Sequence, residues 1–144
     1  MADNFNDILE DWKRRVDQKR VDIEAAFDKG LLKAALFCEK EAKKNAMEMI
    51  YNIPISDKYR YKNGQSKNGG YYYKRTGLYK ASISSGTGDT PHSAYISNNT
   101  DYAKVIEYGS SKGIQGKPIM TNAIYNNIPK IREILEDYLK KVCQ

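Results

Sequence analysis

The sequence predicts an α+β fold with a long N-terminal helix, a small antiparallel β-sheet of hairpins and a C-terminal helix. Three observations predict it. Apolar residues recur every three or four positions over residues 1–50 and again after residue 118. Between these regions lie short alternating stretches punctuated by Asn, Gly and Pro. A chain of 144 residues, 40% apolar and 29% charged, suits one globular domain spanning residues 1–144.

Asp3 and Asn4 are capping residue types, and Phe5, Ile8, Leu9, Trp12 and Val16 share one helical face, predicting a first helix within 1–18. Ile23, Phe27, Leu31, Ala35, Cys38, Ala42, Ala46 and Met49 continue the spacing and predict a second helix over 19–50. At 1.5 Å per residue that helix is roughly 48 Å long. Gly30 falls inside it, where glycine is about 1 kcal/mol less favourable than alanine, so a kink or break is expected. Pro54 ends the helix.

Residues 58–62 and 70–74 alternate around an Asn- and Gly-rich loop, predicting a basic, Tyr-rich hairpin inserted at 56–75 and projecting from the core. The next region, 76–117, holds a β-hairpin and a short helix. Thr76 is expected to cap a single helical turn carrying Leu78, with Gly77 easing the backbone. Residues 81–87 and 92–98 form the hairpin, joined through Gly-Asp-Thr-Pro. Thr100 and Asp101 are expected to cap a helix on which Tyr102, Ala103 and Ile106 share a face, with Gly109 closing it. Residues 109–117 read as a flexible loop. Pro118 opens the C-terminal helical region, 118–142, where Met120, Ile124, Ile128, Ile131, Leu135, Tyr138 and Val142 repeat at helical spacing. Pro129 is expected to kink or divide it. Leu78, Ile83, Ile96, Tyr102, Ala103 and Ile106 are expected to form the small core.

The net charge of +6 is unevenly placed. Residues 1–50 carry 10 basic and 11 acidic side chains, residues 51–117 carry 10 and 4, and residues 118–144 carry 4 and 3. The whole excess lies in the middle third, a pattern that favours an acidic partner or nucleic acid. No apolar run approaches the ~18–20 residues of a membrane span, and the N-terminal residues have no apolar stretch typical of a secretion signal. Cys38 and Cys143 are too few and too distant for a disulfide framework, which is consistent with synthesis in a reducing cytoplasm.

Catalytic and metal chemistry find no footing in this pattern. His92 is the only histidine and has no nucleophile motif beside it, and no Cys/His cluster has ligand spacing. The glycine-bearing run at Ser110–Pro118 has Ser111 where a phosphate loop needs glycine, and Pro118 where it needs a hydroxyl. The acidic pairs Glu39/Glu41 and Glu133/Glu136 sit among lysines and read as solvated helix faces. The expectation is a non-enzyme with no cofactor and no metal.

Several short signals do occur in order. Arg75-Thr76-Gly77-Leu78 is followed by Ser82-Ile83, then the strand 94–99, then Tyr102-Ala103 with Glu107 and Gly109, and then Pro118 opening the last helix. This order resembles the tailed-bacteriophage neck and tail-completion proteins, including the minor tail protein Z type. Where that pattern has proline shortly before Thr-Gly, this chain has its basic hairpin between Pro54 and Arg75. The resemblance implies a structural virion protein made in the bacterial cytoplasm and built into the neck or tail top. It would form a homo-oligomeric ring joining head to tail or completing the tail, among connector, tail-terminator and tail-tube or sheath proteins.

A neighbouring alternative is a tail terminator, since those are similarly small α+β ring formers. Glu107 is expected to cap a backbone turn, to pair with Arg75, or to be an exposed helix residue. The inserted hairpin offers Lys58, Tyr59, Arg60, Tyr61, Lys62, Tyr71, Tyr72, Tyr73 and Lys74 for assembly or for contact with channel DNA. The same residues support a different reading, a nucleic-acid-binding module using phosphate contacts and base stacking.

Overall fold

The computed structural model describes residues 4–52, 61–62, 65–66, 77–113 and 115–144. Its first helix, α1, runs unbroken over Phe5–Ala46, and a π-helical turn, Met47–Tyr51, extends it. The two helices expected within 1–18 and 19–50 are therefore one, about 63 Å long at 1.5 Å per residue over its 42 residues. Side-chain links one turn apart run along the helix here, and that from Gln18 crosses the expected junction. Asp11 pairs with Arg14 and Arg15 at 2.5 and 2.7 Å, and Gln18 donates to Asp22 at 3.0 Å.

Two antiparallel hairpins follow. In the first, β1 (Tyr61–Lys62) pairs with β2 (Gln65–Ser66), Tyr61 opposite Ser66. The partner of β1 is thus nearer in sequence than the expected strand at 70–74, which lies outside the described residues. After the single turn α2 (Leu78–Ala81), the second hairpin joins β3 (Ile83–Thr87) to β4 (Ala94–Asn98), as the alternation predicted. The remaining helices are α3 (Ala103–Tyr108), α4 (Ile119–Tyr125) and α5 (Ile128–Cys143). Pro129 stands in the first turn of α5, so the C-terminal region divides just before it, where a missing N–H costs nothing.

The chain forms two compact units. The first comprises Met1–Leu36, Gly86–Tyr95 and Ile128–Gln144. In it α5 lies against α1 over a row of small side chains. Ala26 and Ala34 are buried, and a Cβ placed on Gly30 would stand 3.1 Å from Leu135 Cδ2 and 3.4 Å from Tyr138 Cβ. Gly30 does not break α1; it permits the close approach of α5. At the hairpin tip His92 adopts φ 57°, and its ring meets Phe27 edge-on at 6.3 Å.

The second unit comprises Phe37–Ser85 and Ile96–Asn127. Its core joins Ala42, Ala46 and Ile50 to Tyr79, Ile83, Ile119 and Ala123, with Ile96, Tyr102, Ala103 and Ile106 packed against them. The small residues Ala42 and Ala46, on successive turns of α1, and Ala123 of α4 leave room for the bulk of Tyr79 and Ile119. The expected core member Leu78 is instead 53% exposed. The turn of α2 directs its neighbour Tyr79 inward, because adjacent helical positions point about 100° apart.

Gly30→Ala should change unfolding free energy by less than about 1 kcal/mol, helix propensity offsetting mild crowding at Leu135. Gly30→Leu should force the α1–α5 seam apart and lower the urea midpoint clearly, as followed by circular dichroism.

Candidate functional site

The motif residues that the structure describes lie in the second unit, and Glu107, Gly109 and Pro118 come together at the N-terminus of α4. Glu107, near the end of α3, is 8% exposed, the one charged residue among the buried described residues. Its Oε2 accepts from the Met120 N–H at 3.0 Å. Its Oε1 accepts from the Thr121 N–H at 2.7 Å and from the Thr121 hydroxyl at 2.6 Å. A carboxylate placed there satisfies two of the orphan N–H groups of a helix start and meets the positive end of its dipole. Of the expected roles for Glu107, capping is the one observed, and both of its oxygens are committed to it.

The elements around this cap are held by backbone-directed contacts. Gly109 ends α3 with φ 78°, a conformation open to glycine, and its N–H reaches Val105 O. Pro118 stands at the N-cap of α4. Between them the chain folds back: Lys117 N–H donates to Ile106 O at 2.6 Å, and the Lys117 Nζ donates to Met49 O in the π-helical turn at 2.6 Å. Gly116 lies so close to α3 that a Cβ would stand 2.8 Å from Glu107 O and 2.7 Å from Tyr108 C. Sequence reasoning read this segment as a flexible loop and missed Gly116 and Lys117. The only signal available was the Gly-Lys-Pro run itself.

The other side of the unit is pinned in the same manner. Asn98 Nδ2 donates to Tyr79 O at 2.8 Å, while Asn98 Oδ1 accepts from the Thr100 N–H and hydroxyl. Asn45 Nδ2 donates to Ile119 O at 3.1 Å. Tyr79 stacks on Tyr102, ring centroids 6.5 Å apart. Burial, and then the charge of Glu107, pushes the Tyr79 phenol well above the usual tyrosine range. Its hydroxyl has no hydrogen-bond partner among the described residues.

Gly77, at φ 80°, is the N-cap of α2 in place of the expected Thr76. Ser82 closes that turn and Ile83 enters the core. Thr100 and Asp101 form the turn leading to Tyr102, which is the N-cap of α3 in their place. Lys58, Tyr59, Arg60, Tyr71, Tyr72, Tyr73, Lys74, Arg75 and Thr76 lie outside the described residues, and for Tyr61 and Lys62 the backbone of β1 is what is described.

Glu39 departs from its expected place on a solvated face. It bonds Lys43 on its own helix and the Ser85 hydroxyl of β3, each at 2.5 Å, and the lysine first, then the serine, holds its carboxyl below the usual range. Glu133 pairs with Lys130 on an exposed helix face, as expected. Cys38 is buried, and desolvation followed by Glu41 raises its thiol pKa, which opposes thiolate formation. Among the described residues no group of three or more His, Cys, Asp or Glu is arranged to hold a metal, and no helix is long and apolar enough to cross a membrane.

Glu107→Ala leaves the Met120 and Thr121 N–H groups without their buried acceptor and should lower unfolding free energy by about 1–3 kcal/mol. Urea titration of matched variants measures this, and Glu107→Gln should recover part of the loss. In the first unit, His92 Nδ1 lies 2.8 Å from Asp28 Oδ1, and that hydrogen bond, followed by the aspartate charge, raises the imidazole pKa. Its contribution to docking of the hairpin tip is complete below the ordinary value of 6.5 and is lost as pH climbs through the raised folded value. An NMR titration should place His92 higher in the wild type than in Asp28→Asn. Compared with family models, curated proteins and solved structures, the chain matches none of them.

Proposed function

We propose that the chain is a structural protein of a phage neck or tail top, assembling as a ring that joins head to tail or completes the tail. The observation that supports this reading is the use made of the ordered motif residues. Ile83, Tyr102, Ala103, Glu107, Gly109 and Pro118 all serve the closure of one small core, and Glu107 caps the first turn of α4. Their order along the chain is that of the family it resembles, in which such a core is a building block.

A ring subunit needs two different complementary faces and a rotation that closes. The segment 57–75, with six Lys/Arg and five tyrosines against the single acid Asp57, supplies one such face. Tyrosine and arginine are the residue types that give interfaces most of their affinity.

Mass measurement and negative-stain microscopy of the purified chain, at two salt levels and with or without non-specific duplex DNA, test the reading. A discrete closed ring is expected. Deletion of residues 57–73 should abolish it while the helical thermal transition survives. A chain that never forms rings, and instead binds DNA tightly with a steep salt dependence, would make it a nucleic-acid-binding module.

A further inference from the structure

The apolar stripe of α1 is longer than the helix that covers it. Phe5, Leu9, Trp12, Val16, Lys19, Ile23, Ala26 and Gly30 follow one another in alternating steps of four and three, the spacing of a helix–helix seam. From Lys19 onward α5 occupies this seam. Lys19 Nζ bonds Val142 O, Ala26 is buried, and Gly30 lies against Leu135 and Tyr138. Helix α5 ends at Cys143. Over the preceding four turns the same stripe continues bare: Phe5 is 70% exposed, Trp12 63% and Val16 48%, with Ile8 and Leu9 beside them. Isolated exposed apolar residues are ordinary, but a contiguous run containing Phe and Trp on one helix face marks an interaction site.

We propose that a second copy of this chain covers it, α1 against α1 in antiparallel orientation, with Phe5 opposite Val16 and Leu9 opposite Trp12. Continuity of the seam argues for a helix as occupant, since the stripe already packs one along its C-terminal part. Charge argues for the orientation. Residues 4–11 carry three acids (Asp7, Glu10, Asp11) and no base, whereas residues 13–20 carry five bases (Lys13, Arg14, Arg15, Lys19, Arg20) and one acid, Asp17. A parallel pair would set the basic segment 13–20 of each copy beside the same basic segment of the other. The antiparallel pair sets each basic end beside the partner's acidic end, with the apolar positions still in register. Such a contact uses the same patch on both copies and closes at two, so it is independent of the ring, which requires a different surface.

Trp12 is the only tryptophan in the chain and sits near the two-fold axis, so its fluorescence reports the contact. With the full chain, its emission should move to shorter wavelength as concentration rises, in step with a monomer–dimer shift in sedimentation. Leu9→Arg, at a site outside the folded core, should abolish both changes while circular dichroism stays constant. Lys13→Glu with Arg15→Glu should weaken pairing at least tenfold, and adding Asn6→Lys, which faces residue 13 of the second copy in this register, should restore part of it.

In a Cys143→Ser background, Phe5→Cys mixed with Val16→Cys should cross-link across the pair. Cross-linking of Val16→Cys mainly to itself would overturn the orientation. A mass and an emission that do not change with concentration would overturn the pairing, as would an emission shift that appears only with lipid vesicles. Rings that form in Leu9→Arg while its pairing is lost would show the two contacts to be separate, and pairs in a chain that forms no rings would overturn the ring reading alone.

Discussion

The second unit depends on one buried carboxylate. Placing a charge at 8% exposure is unfavourable unless hydrogen bonds replace its hydration, and Glu107 obtains them from the first turn of α4. The exchange benefits both sides. A helix of only seven residues has little stability of its own, because nucleation is costly and its terminal N–H groups have no partners. With Glu107 in place, α4 is anchored to α3, and Ile119 and Ala123 are delivered to the core at full burial. The tight return through Gly116 and Lys117 follows from the same requirement, since α3 and α4 must lie close for the carboxylate to reach.

The first unit is organised by backbone proximity instead of a polar contact. Small residues on α1 let α5 approach until Gly30 touches Leu135, so a residue that weakens the isolated helix improves its packing. This explains how α1 continues through a glycine without interruption.

The element types were legible from residue spacing. Period-3.6 apolar runs predicted the helices, alternation predicted β3 and β4, and proline marked the division before α5. The errors were local and share a cause. The end of the first helix, the direction of Leu78, and the capping positions at Gly77 and Tyr102 each turn on a single residue, where neighbouring positions differ little in propensity. Of the candidate site, Ile83, Ala103, Gly109 and Pro118 were recognisable because turn chemistry and apolar spacing are written locally. Gly116, Lys117 and Glu39 were not, because their partners are distant in sequence.

By itself the sequence determined the fold class, the order of the elements and the concentration of positive charge between two nearly neutral ends. These follow from side-chain type and periodicity, which act within a few residues. Only the tertiary structure decided that Glu107 is a helix cap, that Tyr79 and not Leu78 fills the core, and that Gly30 is a contact and not a break. Each depends on which surface another element presents within a few ångströms, and burial and hydrogen-bond geometry between distant segments leave no periodic mark on the chain.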